Sequence, residues 1–343
     1  MNELMNMLSM TKPIIQAPMA GGATTPSLAA AVSKAGGLGS LASGYLKSDQ
    51  LEKQLNHMRQ CGARAFQVNL FVPGAEGEPS EREVQRWKDM IPYADEAGTF
   101  TSIDDEWKDF DQKVDLLVEH RVQVCSFTFD LPPEHAVMKL KAAGCRLLGT
   151  ACSVEEAVLL EERGMDAVIV QGAEAGGHRG AFLPSTRAVG LMSLIPQTVD
   201  RIGIPVIAAG GITEERGVRA ALALGAQSVQ VGTAFLVCKE SGTHPVHKEQ
   251  IFQASASDTK LTKVFSGKEA RGIVNAWMEE NEKREQEVLP YPYFNTLTKP
   301  MRQHAAKQND PSHMSLWAGQ GVGSLGEEEN VDELMERLWP GMS

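Results

Sequence analysis

Along the chain, short apolar runs rich in β-branched residues alternate with stretches of helical period. The runs at 13–19 (PIIQAPM), 38–42 (LGSLA), 66–71 (FQVNLF) and 122–129 (VQVCSFTF) read as buried parallel strands. So do 146–149, 167–171 (AVIVQ), 205–209 (PVIAA) and 226–231 (AQSVQV). Helices fit between them. Thr25 as cap and Pro26 at the first position open one over 28–32, and Ser48 caps another near 51–58. Residues 105–120 are amphipathic, with Phe110, Val114, Leu117 and Val118 on one side. Further helices are predicted at 132–143, after the Ser153/Glu156 capping box, at 188–201, and from a Thr213 cap to 224. Eight such units predict an α/β fold, a (β/α)8 TIM barrel; a doubly wound open sheet, the other arrangement with this rhythm, needs fewer strands.

The rhythm breaks twice. Residues 73–102 are polar and rich in Pro, Glu and Gly, with a helix predicted near 81–90. An insertion after a strand's C-terminal end sits over the active face of a barrel. From 237 onward helices are expected at 247–256 and 270–287, and a Pro/Tyr-rich turn at 289–298. The barrel is therefore assigned to 1–72 and 101–236, and a smaller, mostly helical cap to 73–100 and 237–329. Asn330 with Glu333 caps a last helix, about 330–340, whose stripe of Val331, Leu334, Met335 and Leu338 returns it to the barrel.

Composition narrows the function. A chain of 343 residues suits a large barrel with additions, and a net charge of −11 argues against nucleic acid or an anionic membrane as partner. Five scattered cysteines without a C-x-x-C pair suggest reduced thiols. With no signal peptide and no apolar run of bilayer length, a cytoplasmic protein is expected.

The stretch 166–182 (DAVIVQGAEAGGHRGAF) carries the chemistry. A strand ending at Gln171 gives way to Gly172, Gly176, Gly177 and Gly180, with His178 among them. Glycines at that density let the backbone approach a flat or phosphorylated ligand. A histidine delivered there is a candidate catalytic group. Two later strand ends, AAGGI (208–212) and QVGTAF (230–235), place Gly210, Gly211 and Gly232 where barrels hold phosphate on backbone amides, with the Thr233 hydroxyl beside them. Asn69 and Gln171 carry amides suited to the edge of an isoalloxazine or purine, and Pro18 and Met19 suit its face. Gly321, Gly323 and Gly326 match G-x-G-x-x-G but follow no strand and precede three glutamates; they read as a turn. His244 and His247 lack nearby carboxylate ligands, so no metal site is expected.

IIQAPMAGG (14–22), QGAEAGGHRG (171–180), AAGGI and QVGTAF, with YPYFNTLTK (291–299) and SLWAGQG (315–321), together resemble the nitronate monooxygenases, formerly 2-nitropropane dioxygenases. The resemblance runs through nearly the whole chain. It implies an FMN-dependent barrel whose FMN contacts fall on Asn69, Gln171, Gly176, Gly211 and Gln230, Val231, Gly232 and Thr233. Met19, Gly177 and Gly210 join them as cofactor-binding candidates. The family's catalytic histidine falls on His178, and Tyr291 and Lys299 fall near substrate. Asn295 stands where relatives can carry a second tyrosine, and Thr128 where they can carry a histidine. The implied reaction is oxidation of alkyl nitronates, such as propionate 3-nitronate, by O2, with His178 as base. The alternative within the same superfamily is an NAD(P)H-dependent FMN reductase acting on enoyl-acyl carrier protein or quinone. A homodimer is left open.

Overall fold

The computed structural model describes residues 2–63, 65–74, 77–184 and 187–340. Among them, β1 (Ile14–Gln16), β2 (Gly39–Ala42), β3 (Phe66–Phe71), β4 (Val124–Thr128), β5 (Arg146–Ala151) and β6 (Ala167–Gln171) belong to one parallel sheet. The short β7 (Gly177–His178) leaves it, β8 (Val206–Ala209) and β9 (Ser228–Val231) rejoin it, and β10 (Thr259–Thr262) and β11 (Ala270–Ile273) follow. The parallel sheet runs in the order β1-β9-β8-β6-β5-β4-β3-β2. Leu38 closes the ring: its N–H donates to the Ile14 carbonyl (3.0 Å) and its carbonyl accepts from Gln16 (2.9 Å). The fold is a nearly closed (β/α)8 barrel, as the alternating pattern predicted. Its strands read as continuous apolar runs because one face meets the lumen and the other the surrounding helices.

The two ends of the lumen differ. At the N-terminal ends of the strands, Ile15, Leu38, Val124, Leu148, Ile169 and Ile207 pack with Leu4, Met5, Leu8 and Met10. The last four come from the short helix Glu3–Met7 and its flank, tied down by Asn2 Nδ2 donating to the Gln227 carbonyl (2.6 Å). Burying each such leucine contributes about 2 kcal/mol, so this plug stabilises and seals the bottom. Elsewhere in the barrel, side chains from β1, β2, β3 and β9 form a polar chain. Gln67 Nε2 donates to Ser40 Oγ (2.7 Å) and Gln230 Oε1 (3.3 Å), and the Ser40 N–H donates to Gln16 Oε1 (2.8 Å).

Tertiary pairing overrides the local pattern in three places. The helix expected at 270–287 begins instead as β11, antiparallel to both β10 and β7. From Ala276 to Asn281, behind an Asn275 cap, the chain turns helical, and a 3-10 turn, Glu282–Arg284, follows. The turn expected at 289–298 holds the start of a 16-residue helix, Tyr293–Gln308, despite Pro300 inside it. Burial of Phe294, Leu297 and Met301 outweighs the helix-breaking tendency of proline. Thr213 does not cap its helix; the cap is Glu214, and Thr213 Oγ1 bonds Ser324 Oγ (2.5 Å).

Trp87, Ile91, Phe265, Trp277, Phe294 and Met301 form a core of their own, and Trp87 Nε1 fastens it by donating to the Glu287 carbonyl (2.8 Å). The last helix, Val331–Leu338, has its Asn330/Glu333 capping box and buries all four stripe residues against the helix Pro26–Lys34. No helix among the described residues is long and apolar enough to cross a membrane.

Candidate active site

At the C-terminal ends of the barrel strands lies a cavity of about 650 Å³. Met19, Asn69, Gln171 and Gln230 line it from four strand ends. Gly210 and Gly211, after β8, and Gly232 and Thr233, after β9, line it from a second side, and Gly176, Gly177 and His178 from a third. The structure thus brings together every site residue the sequence singled out near the barrel mouth except Val231. That side chain is buried outside the cavity, and its carbonyl accepts from Ala17 (2.7 Å).

The glycines do separate jobs. Gly210 and Gly211 have φ of 132° and 68°, in the region that disfavours a Cβ. A Cβ on Gly176 would stand 2.4 Å from the Gly319 nitrogen, and one on Gly321 3.0 Å from the Gly211 carbonyl oxygen. These two glycines let the segment 315–321 lie directly on the strand-end loops. Gly319 N–H donates to Thr233 Oγ1 (2.9 Å), which ties the same segment to the loop after β9. Gly232 differs: a Cβ there would meet only Ala17 Cβ, at 3.5 Å. The run read as a simple turn from its glycine spacing is a 3-10 turn, Gln320–Ser324, and its Gly321 forms part of the cavity wall.

His178 is aimed by hydrogen bonds from two directions. Its backbone is held in β7, paired with Ala270, and its carbonyl accepts from Gln171 Nε2 (3.0 Å). Gln171 Oε1 accepts from the Gly180 N–H (2.7 Å) and from Cys152 Sγ (3.2 Å). Both ends of Gln171 therefore brace the loop that carries the histidine. The imidazole Nε2 bonds Ser266 Oγ (2.8 Å), and the Ser266 hydroxyl donates to the Lys268 carbonyl (3.1 Å). A hydroxyl whose proton is so committed accepts from Nε2–H, which leaves the Nδ1 lone pair unprotonated. Phe129 (5.8 Å), Tyr291 (6.0 Å) and Trp317 (5.5 Å) pack their rings around it. Burial, reinforced by the Lys268 and Arg302 charges, pushes its pKa down to about 3. The imidazole is therefore neutral at ordinary pH, with one ring nitrogen unprotonated.

A second, outer chamber of about 1010 Å³ shares Tyr45, Phe71, Phe129 and Arg302 with the inner one. Tyr291 and Asn295 line it. Lys299, expected near substrate, is exposed and reaches only this outer chamber. Arg179, next to His178 in the chain, is buried and ion-paired to Glu269 (2.7 Å). The cation where the chambers meet is Arg302, on the helix Tyr293–Gln308, whose start the local pattern reads as a turn and whose remainder it leaves unassigned. Ser266, Trp317 and Tyr45 were missed too, since each reaches the site from a distant segment. Thr128 Oγ1 accepts from Asn69 Nδ2 (3.0 Å), leaving Asn69 Oδ1 as the end not used there. No group of His, Cys, Asp or Glu able to hold a metal occurs among the described residues.

His247, at the cavity wall, is also held neutral. Burial lowers its pKa to about 4, against the opposing effect of its Nε2 bond to the Trp317 carbonyl (3.1 Å). A histidine whose folded pKa is depressed destabilises the fold as pH drops below its unfolded value of 6.5, because only the unfolded chain takes up the proton. The loss continues down to the folded pKa. Unfolding by urea at about pH 7 and about pH 5 should differ by about 2 kcal/mol per such imidazole, and the difference should shrink in His247→Asn. A pH difference unchanged by that variant would mean that the imidazole is solvated.

Fold and site define the class: a (β/α)8-barrel enzyme with its candidate site at the C-terminal mouth. The sequence profile of the nitronate monooxygenase family matches residues 2–341. A probable nitronate monooxygenase of Bacillus subtilis (strain 168) is 61% identical over 340 residues, covering 98% of each chain. A probable nitronate monooxygenase of Staphylococcus aureus (strain Newman) is 44% identical over 93% of this chain and 91% of its own. Among solved structures, a nitroalkane oxidase from Streptomyces ansochromogenes superposes with TM-score 0.89 at 37% identity, covering 98% of this chain and 96% of its own. FabK from Thermotoga maritima gives 0.79 at 31% identity, covering 98% and 94%. The chain belongs to the nitronate monooxygenase family, flavin-dependent oxidoreductases.

Proposed function

We propose that the protein binds FMN in the inner cavity and oxidises alkyl nitronates, propionate 3-nitronate among them, with O2, and that His178 is the base when the substrate arrives as a neutral nitroalkane. The observation that carries this reading is the neutral His178, its Nδ1 lone pair unprotonated, on the rim of a glycine-walled cavity. The residues present fit a flavin mononucleotide. Gly210, Gly211 and Gly232 offer backbone amides and Thr233 a hydroxyl for the phosphate, and the open space beside Gly232 is where a ligand oxygen would approach. Asn69 Oδ1 and the second N–H of Gln171 are left for the ring edge. When bound, the flavin supplies electron transfer between nitronate and O2.

The chain's own residues do the rest. Phe129, Tyr291 and Trp317 exclude water around His178, which favours the neutral base before reaction. The α-proton of a nitroalkane moves to Nδ1, its electron pair passes into the nitro group, and the new imidazolium faces the new nitronate. That anion offsets the desolvation which otherwise disfavours the cation. A preformed nitronate needs only positioning.

A second reading, FMN reduction by NAD(P)H, is favoured by the size of the outer chamber, which has room for more than a small nitronate. Anaerobic titration of the yellow protein separates the two. Propionate 3-nitronate should bleach the flavin promptly and NADH only sluggishly. Rapid stoichiometric bleaching by NADH, with none by nitronate, would replace this function with the reductase.

A further inference from the structure

Arg302 lines both chambers, and its guanidinium is fixed from one side only. Nη2 donates to the Asn295 carbonyl oxygen (2.7 Å) and to Asn295 Oδ1 (2.8 Å), and Nε to the Thr298 carbonyl (3.4 Å). All three acceptors are neutral. Arg179, which also lines the outer chamber, has the Glu269 carboxylate as its partner. Among the described residues, no carboxylate is within ion-pair distance of Arg302; the acidic groups acting on it are the phenols of Tyr45 and Tyr291. A desolvated cation with only neutral partners is costly unless a ligand brings the negative charge. With Nε and both Nη2 hydrogens taken, Nη1 is the end of the guanidinium left to donate to an oxyanion.

We propose that Arg302 is the anion-binding residue of this site, taking a planar O–X–O head of the substrate at the junction of the chambers, and that Asn295 is the residue that positions it. This rests on the nitronate reading above and deepens it. The head is either the nitronate group itself or a carboxylate on its tail. It also gives Asn295 a purpose: a tyrosine there has no side-chain carbonyl to hold Nη2, so this chain anchors its anion differently from relatives with tyrosine.

The test uses flavin-loaded wild type, Arg302→Gln, Arg302→Lys and Asn295→Leu, with flavin content and thermal melting measured for each. Sodium nitrate and sodium acetate are titrated calorimetrically as unreactive planar anions, and KM and kcat are measured for ethyl nitronate and propionate 3-nitronate. Losing a charge-assisted contact predicts that Arg302→Gln weakens nitrate binding and raises KM by about tenfold to a hundredfold, with kcat changed less. Arg302→Lys should recover part of this. Asn295→Leu should lose less, and should add little on top of Arg302→Gln. KM raised for both nitronates assigns the nitronate head; KM raised only for propionate 3-nitronate assigns the carboxylate. Unchanged anion affinity and KM in Arg302→Gln overturn the proposal, as does full additivity of the Asn295 and Arg302 changes. Should Arg302→Gln fail to fold, Arg302→Lys and Asn295→Leu decide, because a merely structural role would lower melting without moving nitrate affinity. Nitrate binding needs no turnover, so a protein inert toward nitronates that still loses nitrate affinity on substitution keeps the anion site and sinks the functional reading alone.

Discussion

A Gly232→Val protein should fold normally and emerge colourless. Gly232 has a φ of −110°, open to any residue, and a Cβ there meets nothing nearer than Ala17 Cβ at 3.5 Å. The chain itself accepts a Cβ there. The phosphate of a bound FMN does not, because the methyl groups stand where the backbone amide must approach it. Losing charge-assisted contacts worth about 1.5–3 kcal/mol each predicts an FMN affinity at least about a hundredfold weaker. Gly211 is a poorer probe, since its φ of 68° and a Glu174 Cβ 3.1 Å away strain any substitution whether or not phosphate binds. The measurement is FMN affinity by fluorescence quenching, beside melting of the flavin-free forms. If Gly232→Val melts like the wild type and keeps its FMN, the phosphate rests elsewhere.

The second large effect is expected at His178. His178→Asn should slow turnover of neutral nitroalkanes by about a hundredfold to ten-thousandfold, the usual contribution of a general base. Turnover of preformed nitronates should fall far less, because they need no proton removed. A pKa near 3 sharpens the expectation. With the base neutral above that value, the acid limb of kcat/KM for nitroalkanes falls as pH drops toward about 3, not near the 6.5 of a solvated imidazole. Equal losses on both substrates would make His178 a substrate-orienting group and end the base assignment.

How much of this was legible from the residues differs by region. The eight barrel strands declare themselves because each is buried on both faces, so runs such as Ala167-Val168-Ile169-Val170 need no partner to be read. The glycine loops were legible for a similar reason: their backbone conformation is a local property. What stayed hidden was made by distant segments. β11 exists because Ala270 and Arg271 pair with His178 and Gly177, about ninety residues earlier in the chain. The helix carrying Arg302 is stabilised by the separate core around Trp87 and Phe265, and the Pro/Tyr-rich run at its start masked it. Lys299 sits close in sequence to the residue at the chamber junction, yet one helical turn separates exposed from partly buried. The lysine was visible from its motif; the arginine needed the fold.

The contact of Gly319 and Gly321 with the loops after β6 and β8 bears on how the enzyme is made. Its cavity draws walls from both ends of the chain, residues 17–20 and residues 315–321. Ribosomal synthesis is vectorial, so the strands emerge long before the final glycines. A product terminated before residue 315 would therefore hold every strand of the parallel sheet yet lack both this wall of the cavity and the helix Val331–Leu338 that packs on the barrel.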